Sequence, residues 1–246
     1  MTKSAIIFTF LLTAHLLTDF ILQTEKDVAR KAEPLVFIRH LLLTSLTAYV
    51  VLGDWYLWQV IPIIFILHGI IDALKLIVKK RIKNNSFTIF FMDQILHLFS
   101  LLVITGLFSA DFTNSLWLSL FGNYFNYFLI GISALILITK AGSISVELFV
   151  KPLLEQMDNF ENRGFINGGK IIGYLERFLI VLFVYSGNFP GVGFLIAAKS
   201  IFRFGELFNS KNRKEAEYII IGTFFSFAFA LVTGFLFRIA ASQIVK

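Results

Sequence analysis

The length of its apolar runs limits what this chain can fold into more than any other feature. Eight stretches read as helical spans: Ser4 to Leu22, Pro34 to Val51, Tyr56 to Val78, Phe87 to Ser109, Tyr124 to Lys140, Gly168 to Ser186, Pro190 to Phe208 and Ala216 to Ala240. Runs of roughly 20 residues suit the ~30 Å of hydrocarbon that a helix must cross. The apolar positions are continuous rather than alternating, which argues against a membrane β-barrel. With 57% hydrophobic residues and 30 phenylalanines among 246, the chain carries too much apolar surface for one water-soluble core. The expected fold is all-α: a polytopic integral membrane bundle of about eight helices. The first run follows Lys3 but is long, carries His15 and Asp19 and has no small-residue cleavage pattern, so it reads as a retained span.

A net charge of +6 would suit nucleic acid if it formed a patch, but here it marks topology, and no nucleic-acid partner is expected. Lysine and arginine sit in the odd-numbered connections, at Lys26, Arg30 and Lys31, at Lys79 to Lys83, at Lys151 and Arg163, and at Lys211 to Lys214. Connections two, four and six have neither. The positive-inside rule then makes the odd connections cytoplasmic and puts both termini outside. Trp55, Trp58 and Trp117 fall at the uncharged edge, where an aromatic belt belongs. The chain has no cysteine, which excludes disulfides, thiolate metal sites and thiol catalysis. Segment 141–163 is too polar to cross, but Val146, Phe149, Val150, Leu153, Leu154 and Met157 form an apolar stripe for an interfacial helix broken near Pro152. Two units follow: 1–110, four helices with the histidines and their aspartates, and 111–246, the remaining spans with the interfacial segment.

All the histidines, His15, His40, His68 and His97, lie in the first four spans. Three of them stand four residues from an aspartate, in His15/Asp19, His68/Asp72 and Asp93/His97, a spacing that stacks both side chains on one helical face. Counted from the cytoplasmic ends, all seven share about the same depth. Ionisable groups are costly in lipid and mark functional sites. Four imidazoles and three carboxylates can supply ligands for a divalent zinc, manganese or iron ion, with some left over to orient them. His15, His40, His68, Asp72, Asp93 and His97 are the candidate ligands, and Asp19 and Asp93 the candidate catalytic carboxylates. Gln23 and Gln94 border the region and can orient ligands or substrate. Arg39 either binds an anion or snorkels to the headgroups.

Several of these residues carry a resemblance. The stretch Ala14-His15-Leu16-Leu17-Thr18-Asp19-Phe20-Ile21-Leu22-Gln23, then His40, His68-Gly69-Ile70-Ile71-Asp72 with Lys75, and Asp93-Gln94-Ile95-Leu96-His97 resemble a family of bacterial multi-spanning membrane proteins catalogued as domain of unknown function 3307. Gly173-Tyr174-Leu175-Glu176-Arg177 and Ala197-Ala198-Lys199-Ser200 resemble its longer members. The resemblance implies a bacterial cytoplasmic (inner) membrane protein and marks the same His and Asp positions, without an activity.

In the second half, Glu176, Arg177, Lys199, Arg203, Glu206 and Glu217 again lie toward the cytoplasmic side, where opposite charges on neighbouring helices can neutralise one another. Should Lys199 and Arg203 face the histidines, they would suit a phosphate or carboxylate. Asn167-Gly168-Gly169-Lys170 can hold an anion at a helix start, while Gly169 and Gly173 suit close helix packing. The leading expectation is a membrane-embedded, metal-dependent hydrolase or transferase acting on a lipid or lipid-linked phosphate or ester. The alternatives are a cation- or proton-coupled transporter using the same cluster, and a structural or regulatory membrane protein.

Overall fold

The computed structural model describes residues 2–82, 86–112, 114–157, 165, 167–209 and 213–245, the side chains of 202–209, 244 and 245 excepted. Among the described residues there is no strand. The helices are α1 (Lys3–Leu17), α2 (Glu25–Ala29), α3 (Pro34–Leu52), α4 (Val60–Arg81), α5 (Ser86–Phe108), α6 (Leu116–Phe121), α7 (Asn123–Ile136), α8 (Gly142–Leu154), α9 (Gly168–Ser186), α10 (Phe189–Asn209) and α11 (Arg213–Val245). Two π-helical turns interrupt this order, Thr18–Leu22 after α1 and Leu137–Ala141 between α7 and α8.

Among the described residues, six helical runs are long and apolar enough to cross a membrane: Lys3–Leu22, Pro34–Leu52, Val60–Arg81, Ser86–Phe108, Asn123–Leu154 and Arg213–Gln243. The sixth expected span, α9, falls short of that standard because it carries Lys170, Glu176 and Arg177; of the seventh, Phe189–Ile201 is a shorter apolar helix, and the side chains of α10 beyond it lie outside the described residues. The expected interfacial segment is not separate from the fifth span either. It continues it as α8 through the second π turn, with Pro152 in its last turn; residues 158–164 lie outside the described residues.

The chain divides into two compact units, Met1–Ile136 with Gln243–Lys246, and Leu137–Ser242. In the first, α1, α3, α4 and α5 form a closed ring in which each packs on its two neighbours, and α7 lies against α1. Thr13 and Ser133 join α1 to α7 through hydroxyls 2.8 Å apart, so this unit extends past the 110/111 division read from sequence. An apolar core of Ile7, Phe10, Leu11, Leu52, Val60, Ile64, Ile104 and Phe108 fills one end of the ring. At that end Gly53 closes α3 in a left-handed conformation, φ 62°, and its carbonyl accepts from Leu116 N–H at 2.8 Å. Trp117 Nε1 donates to the Val50 carbonyl at 2.7 Å.

Burial along α5 is inverted relative to a water-soluble helix. Asp93, His97, Ser100, Ile104 and Thr105 point inward, while Phe91, Ile95, Phe99, Leu102 and Leu107 are exposed. An apolar exterior around a polar seam is stable only where the solvent is lipid.

The second unit packs around Ile180, Val184, Val192, Phe227 and Ala230. Gly234 lets α11 approach α9 closely, since a Cβ there would stand 3.1 Å from Val184 Cβ.

Candidate metal centre

Each helix of the ring sends one histidine to the end opposite the apolar core. His15 comes from α1, His40 from α3, His68 from α4 and His97 from α5, all at most 5% exposed. Asp72 and Asp93 lie one turn away on α4 and α5. Asp19 sits on the π turn that ends α1, where Gln23 N–H reaches five residues back to the Thr18 carbonyl at 3.0 Å. Such turns recur at functional sites because the extra residue re-aims a side chain.

The polar atoms converge closely. The Nε2 atoms of His40 and His68 are 3.0 Å apart. Asp19 Oδ1 lies 3.5 Å from the first and 3.6 Å from the second, and Asp72 Oδ2 lies 3.4 and 3.3 Å from them. Ligand atoms of a tetrahedral site with bonds of about 2.0–2.1 Å are ~3.3 Å apart, so both triangles, each sharing the His40/His68 edge, match a bound first-row metal. His15, His68 and His97 form another group, and Asp72, Asp93 and His97 a third, with ligand atoms within 4.8 Å of one another in each.

Two lysines balance part of the charge. Lys31, from the connection before α3, is 6% exposed and donates to Asp72 Oδ1 at 2.8 Å. Lys75 Nζ donates to Asp93 Oδ2 at 2.6 Å, and Gln94 Nε2 donates to the same oxygen at 3.1 Å. Three carboxylates against two ammonium groups leave one negative charge over when the imidazoles are neutral. Asp19 is the carboxylate in excess, for among the described residues its ion-pair contacts are with histidines alone.

Several buried atoms here have no hydrogen-bond partner among the described residues: Asp19 Oδ1, Asp93 Oδ1 and both ring nitrogens of His97. Asp72 Oδ2 belongs with them, being 2.7 Å from Lys31 Nζ but off the angle a hydrogen bond needs. Folded proteins satisfy nearly all buried polar atoms, and a cluster of exceptions points to an ion or water. The donor set, imidazole nitrogen with carboxylate oxygen, suits zinc, manganese or iron(II).

Residues 7–123 match the family model described as Protein of unknown function (DUF3307). The matched stretch holds α1 from Ile7 onward, the whole of α3, α4 and α5, and every histidine and aspartate of the centre. No curated protein and no solved structure matches the chain.

Within the DUF3307 stretch the four histidines and three aspartates expected from sequence stand together. Gln94 joins them through Asp93, and Gln23 lies nearby in sequence after the π turn with its Nε2 buried and unpartnered. Arg39 does not join them. It neighbours His40 in sequence, but successive helical residues point about 100° apart, and Arg39 is exposed and paired with Asp27 outside the ring. Lys199 belongs to the second unit, where it donates to Glu176; the side chain of Arg203 lies outside the described residues. Sequence reading treated Lys31 as a topological charge and missed its place at Asp72. The only signal was its position three residues before Pro34, where α3 begins.

Proposed function

We propose that this chain is an integral membrane protein whose first unit holds a divalent metal ion at the His/Asp centre and uses it for hydrolysis or group transfer on a lipid or lipid-linked phosphate or ester. The observation that carries the reading is that Asp19 Oδ1 and Asp72 Oδ2 each lie 3.3–3.6 Å from the Nε2 atoms of His40 and His68, which are themselves 3.0 Å apart, a spacing that suits atoms sharing one cation. This assignment adds Asp19 to the ligand set, where His40, His68 and Asp72 were already expected. It leaves His15, His97 and Asp93 beside the ion, with Asp93 held by Lys75 and Gln94 and its Oδ1 3.5 Å from His97 Nε2. A carboxylate behind an imidazole is the arrangement of a general base. A metal ion there would lower the pKa of a bound water and supply the nucleophile. The positive-inside pattern supports a reading in which this end of the ring faces the cytoplasm.

The test is elemental analysis of protein purified in mild detergent without chelator, beside His68→Ala. Near-stoichiometric zinc, manganese or iron in the parent, lost in the variant, is the expected result, followed by a screen of lipid phosphates and esters on the reconstituted protein. A folded parent that takes up none of these metals even when they are supplied would end the proposal. Transport is the second reading, favoured by the contiguous imidazoles: ring centroids are 5.1 Å apart for His40/His68, 4.2 Å for His68/His97 and 4.8 Å for His15/His97. It predicts proton or cation flux in proteoliposomes that His97→Ala abolishes.

A further inference from the structure

The second unit contains a different kind of polar site. Arg177, on α9, is 2% exposed. Its guanidinium donates to the Ile138 carbonyl, to Ser226 Oγ at 3.0 Å and to Ser143 Oγ at 2.9 Å. All three acceptors are neutral, and among the described residues no ion pair joins Arg177 to a carboxylate. Glu176, beside it in sequence, accepts instead from Lys199 Nζ.

A buried guanidinium with neutral partners keeps its hydrogen bonds but not its charge balance, and burying an unbalanced charge is unfavourable. The balance has a place to come from. Arg177 lines a cavity of about 460 Å³ that lies wholly within this unit, bordered also by Ser143, Lys170, Lys199 and Tyr218. Among the described residues the charged side chains around it are Lys170, Arg177 and Lys199 against Glu147 and Glu176, an excess of one positive charge. Its wall includes the start of the 19-residue α9, where Asn167 provides no side-chain cap, so the positive end of the helix faces the same space. The glycines expected to pack helices line it too: a Cβ at Gly169 would meet nothing within 4 Å, and one at Gly173 would press on Arg177's own guanidinium at 3.1 Å.

We propose that this cavity binds a phosphate-bearing anion, with Arg177 as its buried counter-charge and Lys170 and the α9 N-terminus completing the cradle. Planar fork donors and backbone N–H groups both favour phosphate oxygens. The phosphate belongs either to a small soluble molecule or to an anionic lipid headgroup, and the test separates the two.

The full-length chain, delipidated in an uncharged detergent, is titrated with inorganic phosphate while its unfolding midpoint is followed. In parallel it is placed in phosphatidylcholine nanodiscs with and without phosphatidylglycerol, and the phosphatidylglycerol retained on extraction is counted by native mass spectrometry. Saturable stabilisation by inorganic phosphate assigns a soluble ligand; selective retention of phosphatidylglycerol assigns a headgroup; either supports the site. Arg177→Gln should weaken binding by about tenfold or more, the loss of one charge-assisted bond. Because Arg177 also ties three segments together, Lys170→Gln at an exposed position is the companion variant, expected to weaken binding several-fold with folding intact. His68→Ala should leave phosphate or lipid binding unchanged, so this result stands or falls separately from the metal proposal. Absence of saturable binding in the parent by both probes overturns the site, as does parental affinity in a folded Lys170→Gln variant.

Discussion

Lys31 holds a carboxylate that the proposed metal ion would also coordinate. Its ammonium and Asp72 are 7% and 0% exposed, so removing one partner leaves a charge stranded. In chelator, Lys31→Met should destabilise the protein by about 3–5 kcal/mol, the usual effect of breaking a buried pair. With zinc or manganese present the loss should shrink, because the ion would supply the missing positive charge. Unfolding midpoints of parent and variant in both conditions check this, and an equal loss in each would separate Asp72 from the metal. The His and Asp members of the centre were legible in sequence because a four-residue spacing on an apolar helix is a local signal. Lys31 was not, since Arg30-Lys31-Ala32-Glu33 reads like any charged connection and its burial depends on a chain segment folding back on α4. Outside the spans, Asp27 caps α2 with Thr24. Hydrogen bonds from the Thr24 hydroxyl and N–H, followed by Arg39, hold its carboxyl below the usual range. The sign follows directly: this stabilisation is present above the unfolded carboxylate pKa and fades as the pH falls through the lower folded value. An NMR titration of Asp27 should show the depressed midpoint, and Thr24→Val should raise it.

At the scale of elements, the turn after α3 fixes where the end of the ring away from the His/Asp centre closes. Gly53 has φ 62°, and a Cβ there would stand 2.5 Å from Trp117 Cδ1, so both backbone and neighbour reject a side chain. Gly53→Ala should destabilise the protein by about 1–3 kcal/mol, the range for backbone strain at such a position, read as a lowered unfolding midpoint in detergent. Metal content should not change, because the centre lies at the opposite end. The apolar runs made the helices themselves legible. The π turn at Thr18–Leu22 was not, because Thr18-Asp19-Phe20-Ile21-Leu22 has the composition of ordinary apolar helix and nothing local distinguishes a five-residue step from a four-residue one. Helix α9 was legible too, with the bounds Gly168–Ser186 read from the sequence; the acceptors that hold its Arg177, from the second π turn, α8 and α11, were not.

For the whole molecule, the DUF3307 match, residues 7–123, falls within the first compact unit, and that unit contains every proposed metal ligand. A fragment ending after Ile136 should therefore retain the metal content of the full chain while losing the phosphate binding proposed for the second unit. Elemental analysis of the fragment checks the first expectation; loss of its metal despite a folded ring would mean that the second unit supplies a ligand. The unit boundary was not legible in sequence, because α7 to α8 is one unbroken apolar run and it is packing, including the Thr13/Ser133 and Phe10/Phe125 contacts, that assigns α7 to α1. One consequence of Lys31 is kinetic. Because it reaches Asp72 from the connection between the first two spans, an ion leaving the centre toward that side would wait for the connection to swing away. Chelator should then strip the parent at a rate set by that opening, independent of chelator concentration once it is high, and Lys31→Met should exchange its ion faster even where it binds no more weakly.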